Sequence, residues 1–332
     1  MSLKIENQNV VLNSVVAVKR NVKDFKFPDQ LTYEDSTKIV EKIYNCLKDD
    51  FEIKIFDYFD LSEKDREDLY ADFIINDKYD DSIKRSIIYF DYDDDEIILT
   101  INFEDHLSIN ISGVDDVENA YEKIIKIEEI IDKKIDFAFD PLFGYLTKNA
   151  SDSGDGIFIF FKFFLYGICS KQEHYISLKA SLAYDNVKFN RLLAYNKPIS
   201  DYVYTFRPFG NYFEDTKKRI EKIDELVHVI ITNEYNFRFN FKKLYNKNKE
   251  ELQEELSILE GIIKSKKTKT LPKILNYLYE LRKYNLLRLD TFIGLKELDE
   301  LIFEMEKSKY ETIDDVNRYR FLSNYLEDVD GK

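Results

Sequence analysis

The chain has 332 residues, enough for one large core or two domains, and its 44% hydrophobic and 15% aromatic content excludes a disordered chain. It carries 64 acidic against 49 basic residues, and a formal net charge of −15 would repel a phosphate backbone, so no nucleic-acid partner is expected. The two cysteines, Cys46 and Cys169, form no disulfide or metal framework, which suits a reducing compartment.

The N-terminus lacks the apolar core of a signal peptide, so a soluble, cytoplasmic setting is expected. Residues 10–18, VVLNSVVAV, read as a strand from their β-branched content. Ile39, Ile43 and Leu47 recur at helical spacing, with Val40 and Tyr44 widening the stripe, and predict an amphipathic helix over 34–49. SIIYFDYDDDEIILTINF (86–103) reads as two strands around an acidic turn at Asp93–Asp95, and LSINIS (107–112) extends that sheet. Residues 115–135 predict a second helix, acidic early and lysine-bearing late, as the helix dipole prefers.

Residues 144–158, GYLTKNASDSGDGIF, collect Ser, Asp, Asn and Gly and read as a loop. The most apolar run, 156–169, carries Lys162 and is too short to cross a bilayer, so no membrane contact is expected; periodicity leaves it as strand or helix. NVKFNRLLAYN (186–196) and DYVYTFRP (201–208) suggest further strands, and 215–233 a helix with Ile220, Ile223, Val227 and Ile230 on one side. From about 247 the composition shifts to successive helical patterns, the last over 312–328; the basic run 263–283 reads as a solvated loop and helix face. The expected fold is α+β: an antiparallel sheet flanked by helices in residues 1–245, followed by an all-helical domain in 246–332.

One segment stands apart. In INFEDHLSIN (101–110), Glu104, Asp105 and His106 interrupt a run of strand. Taken as residues alone, they are either acid/base apparatus or a polar hairpin turn. No other histidine has metal-ligand spacing, and the chain has neither a nucleophile elbow nor a Walker-type phosphate loop.

Several stretches, in order, resemble the phosphagen (guanidino) kinases and, within that family, the bacterial protein-arginine kinases. Asn102, Phe103, Glu104, Asp105, His106, Leu107 and Ser108 resemble the family's Asn-Glu-Glu-Asp-His-Leu-Arg. Phe139 and Gly144-Tyr145-Leu146-Thr147, leading to Gly154 and Gly156, resemble Phe…Gly-Tyr-Leu-Thr and its glycine-rich loop. NSVVAVKRN matches the family's opening strand, Ser-Ser-Arg-x-Arg-x-x-Arg-Asn, at Ser14, Arg20 and Asn21, and FKFP (25–28) resembles the segment after it. The tail is similar to the C-terminal domain of the protein-arginine kinases, with Asp314 to Tyr319 resembling Arg-Asp-x-x-Arg-Ala. The resemblance implies phosphoryl transfer from Mg-ATP to a guanidino group. Glu104 would orient the guanidinium and take its proton, His106 would stack on the nucleotide base, and Asp315 and Arg318 would recognise phosphoarginine. It also implies a dimer.

Phosphoryl transfer gathers several phosphate charges in one site, and the family lines that site with arginines, whose planar forks suit phosphate oxygens. At those positions this chain has Val15, Ala17, Ser108, Phe158 and about Asn190, with Arg191 one place later. Asn149 stands for a usual Cys and Tyr195 for a Glu. Losing one transition-state donor commonly costs about 2.7–4 kcal/mol. The loop has also gained Asp152 and Asp155, expected to repel a triphosphate.

The leading expectation is therefore a degenerate relative, a pseudokinase without cofactor. It would act as a homodimeric regulator or adaptor on protein partners such as an active arginine kinase or quality-control protease components. The alternative is an active Mg-ATP phosphotransferase drawing cations from Lys19, Arg20, Arg191 or Arg207. A third reading makes the tail a phosphoarginine receptor. Two blander readings stand beside these: Glu104 and Asp105 solvating a turn, and Asp315 pairing with Arg318 along one helix face.

Overall fold

The structure is a computed structural model that describes residues 9–75, 79–210, 215–245, 248–265, 270–307, 321, 322 and 325. In chain order, β1 (Val11–Arg20) leads to α1 (Tyr33–Leu47), β2 (Lys54–Asp57) and α2 (Glu63–Ala71). A meander follows, β3 (Ser86–Tyr92), β4 (Asp95–Ile101) and β5 (Leu107–Ser112), then α3 (Val117–Asp132). The short hairpin β6 (Phe139–Asp140) and β7 (Gly144–Tyr145) precedes β8 (Ile157–Phe164), α4 (Gln172–Tyr184), β9 (Val187–Arg191), β10 (Leu193–Ala194), β11 (Lys197–Pro198) and β12 (Val203–Pro208). The helices α5 (Thr216–Tyr245), α6 (Lys249–Lys264), α7 (Leu271–Leu286) and α8 (Leu295–Lys307) complete the described chain.

Among the described residues the main sheet runs β2-β3-β4-β5-β1-β8-β12-β9, and the pairs from β2 through β1 are all antiparallel. Asp93 and Asp94 both take positive φ, which closes the β3–β4 turn; Asp tolerates that conformation better than most side chains. The ambiguous run at 156–169 resolves as a strand, β8. It sits between β1 and β12 with all its residues buried, so both faces are apolar and no alternation survives in the sequence. The sequence reading missed β2, α2 and α4, and the two-residue strands β6, β7 and β11.

The chain divides into two compact units. The first comprises Met1–Lys162, Leu182–Lys188 and Phe206–Val229. Within it α3 packs on β1 and β5 and against α1, covering the sheet face that carries Val16, Val18, Ile109 and Ile111. The second comprises Phe163–Ser181, Phe189–Thr205 and Ile230–Lys332. In it α7 packs against α6, α8, β10 and β11. Glu234 of α5 is fully buried there, accepting the backbone N–H groups of Gly167 and Ile168 at 2.8 Å each and Arg238 Nε at 2.6 Å. The sequence boundary near 245 coincides with the end of α5, whereas the two units part inside that helix, between Val229 and Ile230.

Candidate functional site

Side chains alternate along a strand, so Val15, Ala17 and Lys19 share the β1 face opposite α3. The register sets Val15 against Ser112, Ala17 against Asn110 and Lys19 against Ser108, and Ser108 against Thr100 on β4. Phe158 joins this face from β8, its ring centroid 4.8 Å from Lys19 Nζ. Four of the positions compared with family arginines, 15, 17, 108 and 158, thus stand on one sheet face as Val, Ala, Ser and Phe. Val15 and Ala17 are fully buried. Ser108 Oγ donates to Asn110 Oδ1 at 2.9 Å, and Asn110 Nδ2 donates to Ile98 O at 2.8 Å, so the polar groups there satisfy one another.

Lys19 carries the charge of this face. Its Nζ lies 2.5 Å from Glu104 Oε2 and 2.9 Å from Asp152 Oδ2. Burial alone would lower the ammonium pKa, but the adjacent Asp152 and Glu104 carboxylates outweigh it and hold it above its ordinary value. Asp152, only 4% exposed, also accepts Arg207 Nη2 through Oδ1 at 2.8 Å and Oδ2 at 3.1 Å. Burial would raise this carboxyl, and Lys19 and Arg207 together hold it below the usual carboxylate range. Phe158 contacts both cations, with the Arg207 guanidinium 4.9 Å from its centroid. Asp155 pairs with Arg219 of α5 and accepts the Ile157 N–H at 3.0 Å. The expectation that Asp152 and Asp155 act as free repelling charges is therefore corrected: the chain's own cations neutralise both.

The loop reaches Lys19 because Gly156 lets it. Gly156 has φ +71°, and a Cβ there would meet Arg20 Nη1 and stand 2.6 Å from Lys19 O. Its carbonyl accepts the Lys19 N–H at 2.8 Å. A shallow recess lies between Lys19, Glu104, Asp105, Ser108 and Phe158 on the sheet side and Phe73, Ile74, Ile75 and Tyr79 on the other, with room for about one water. Phe73 stacks on Phe160 with centroids 4.1 Å apart, and Asp72 accepts Asn13 Nδ2 at 3.0 Å, which seats that segment on the sheet. Nothing in the sequence signalled this cover, since the segment has no periodicity and the contacts that seat it on the sheet, to Asn13 and Phe160, are remote.

The 102–106 segment is not a solvated turn. Asn102 takes φ +63° and donates through Nδ2 to Ser36 O and Lys84 O, each at 2.9 Å. Asp105 is 3% exposed; its Oδ1 accepts Asn21 Nδ2 at 2.6 Å and the Lys148 N–H at 2.8 Å, while burial pushes its pKa up. His106 is fully buried. Its Nδ1 accepts the Val22 N–H at 2.9 Å, so the proton sits on Nε2, 2.7 Å from Lys26 O. Burial pushes its pKa down to about 4. Both ring nitrogens are engaged with backbone, and the ring does not line the recess. Glu104, its side chain 30% exposed, does line it.

Of the other cations weighed from sequence, Arg20 points to the opposite face, where Nε meets Glu128 Oε1 at 2.5 Å and the guanidinium lies 3.5 Å from the Tyr145 ring centroid. Asn190 and Arg191 belong to the second unit. The Asn190 carbonyl accepts Thr205 Oγ1 at 3.2 Å, and Arg191 pairs with Asp201 at 2.9 Å and Tyr204 Oη at 3.2 Å. Asp315 and Arg318 lie outside the described residues. Among the described residues no group of three or more His, Cys, Asp and Glu is placed to hold a metal, and no helix is long and apolar enough to cross a membrane.

Residues 35–159 match the family model of the ATP:guanido phosphotransferase C-terminal catalytic domain. A protein-arginine kinase of Caldanaerobacter subterraneus subsp. tengcongensis is 23% identical over 338 residues, covering 96% of this chain and 98% of the relative. Those of Clostridium tetani and Syntrophomonas wolfei are 26% and 30% identical, over 46% and 45% of this chain and only 45% and 43% of their own length. The fold is similar to the crystal structure of lombricine kinase, with TM-score 0.58 and 14% identity over 70% of this chain and 68% of that one. It is also similar to the duplicated taurocyamine kinase from Schistosoma mansoni with bound transition-state-analogue components, with TM-score 0.56 and 18% identity over 68% of this chain and 33% of that one. The motif order, the antiparallel sheet and these matches agree: residues 35–159 are similar to the catalytic domain of the ATP:guanido phosphotransferases.

Proposed function

We propose that this chain is a family member that does not transfer phosphate and works as a regulator or adaptor on protein partners in the cytoplasm. One observation carries the reading. Among the described residues the sheet face bearing Val15, Ala17, Ser108 and Phe158 holds Lys19 and Arg207 around Asp152, and both cations are paired with the chain's own carboxylates, Lys19 with Glu104 as well. Phosphoryl transfer depends on positive groups aimed at the transferring oxygens. Here those positions carry apolar or small side chains, Val15, Ala17, Ser108 and Phe158. Glu104 opens on the recess, but no uncommitted cation accompanies it among the described residues that line it.

The likeness to protein-arginine kinases directs the partner side of the proposal: an active arginine kinase or quality-control protease components, with this chain a homodimer. Incubation with Mg-ATP and a protein substrate should yield no phosphoarginine, and ATP, ADP and Mg²⁺ at millimolar concentration should leave the melting temperature unchanged. Phosphoarginine that appears with the native chain and disappears with Glu104→Ala would overturn the reading.

A further inference from the structure

Arg207 approaches Asp152 in an incomplete way. Both short contacts come from one nitrogen, Nη2, at 2.8 and 3.1 Å, while Nε is buried and meets no acceptor among the described residues. A carboxylate matched to a guanidinium takes one bond from each of two nitrogens. Lys19 reaches the same carboxylate at 2.9 Å, and the two cations lie 4.8 and 4.9 Å from the Phe158 ring centroid. Two cations therefore share one carboxylate, and one of them keeps a buried donor unused. A phosphoryl group offers three oxygens in a tetrahedral spread and up to twice the charge.

We propose that Lys19 and Arg207 form a phosphoryl-binding site whose occupant in this protein is the chain's own Asp152. The inference rests on the reading of the chain as inactive, and it names what keeps phosphate out. Asp152 is delivered by a loop fixed at both ends. The Asp152 N–H donates to Asn149 O at 2.8 Å, and Thr147 Oγ1 donates to the same carbonyl at 2.8 Å. Beyond it, Gly156 closes the loop on β1. A tethered anion acts at an effective concentration of about millimolar or more, so a free phosphate must compete against an occupant that never leaves. With Asp152 made neutral, the two cations would face Glu104 on the open side and Asp105, which Asn21 and the Lys148 N–H already hold.

The test is calorimetric titration of the full chain with inorganic pyrophosphate and, separately, ADP. The native protein should bind pyrophosphate weakly. Asp152→Asn should bind it at least tenfold more tightly, and adding Arg207→Gln should remove the gain. ADP matching pyrophosphate in Asp152→Asn would identify the phosphoryl group as the part recognised, whereas ADP binding without pyrophosphate binding would overturn the proposal. Asp152→Ser is the second variant. If both melt too low to titrate, pyrophosphate at matched ionic strength should raise their melting temperatures by several degrees, and no rise counts against the site. A folded Asp152→Asn that binds no better than native overturns this inference and leaves the inactive reading intact. Phosphoarginine production by the native chain overturns the inactive reading and this inference with it.

Discussion

His106 matches a family motif and is held as architecture, and its titration should be visible in the stability of the protein. The folded state keeps it neutral, chiefly because burial disfavours the charged ring, and Nδ1 already accepts the Val22 N–H. Its pKa of about 4 lies below the ordinary 6.5. The stability it contributes is therefore full above about pH 6.5 and is lost as pH falls toward 4, about 3 kcal/mol in all. Asp105 works in the opposite direction, since burial raises its pKa and protonation favours the fold as pH falls. The comparison to make is urea unfolding at pH 7 and 4.5 for the native chain and for His106→Asn, which should lose stability at pH 7 and show a flatter pH dependence. Only part of this was legible in the sequence. The motif fixed attention on 104–108, but the partners that decide what those residues do are remote: Lys19 stands 85 positions from Glu104, and 133 from Asp152. Spacing rules reach across a helix turn or a hairpin and no further.

Some elements were readable: α1 and α3 by one apolar stripe each, β1 and the β3–β5 meander by their β-branched content although both faces of β1, β4 and β5 are buried. The elements that escaped have no such stripe. In α2 the buried residues, Leu69, Tyr70 and Ala71, gather at one end, and α4 buries only Leu182 along its length. The joint between β4 and β5 is set by Asn102, whose positive φ turns the chain while its amide ties Ser36 of α1 to Lys84 ahead of β3. Asn102→Ala should cost about 2–4 kcal/mol in denaturant unfolding, from two lost hydrogen bonds, to Ser36 O and Lys84 O, and a strained backbone. Asn102→Gly should relieve the backbone share and keep the rest.

At the scale of the molecule, the helical tail is not a separable appendage. The second unit combines it with Phe163–Ser181 and Phe189–Thr205. Phe164 stacks on Tyr279 of α7 at 5.8 Å, and Arg282 lies 4.8 Å from the same Phe164 ring. Composition suggested a boundary near 245 because it registers where helices begin to follow one another, and it carries no information on which earlier segments they cover. A fragment ending at residue 245 should therefore expose Phe164 and the β10–β11 hairpin. It should bind a hydrophobic dye, lose near-ultraviolet circular dichroism and aggregate; a monomeric, well-dispersed fragment would contradict the division described.

Because the chain passes back and forth between its two units, order of synthesis matters. Phe163, Phe164 and Leu165, fully buried in the finished protein, leave the ribosome long before Tyr279 and Arg282 exist to cover Phe164. At about 5–20 residues per second the gap lasts on the order of ten seconds, during which the apolar end of β8 is open to other chains. Nascent chains stalled before α7 should thus be the form most in need of a chaperone.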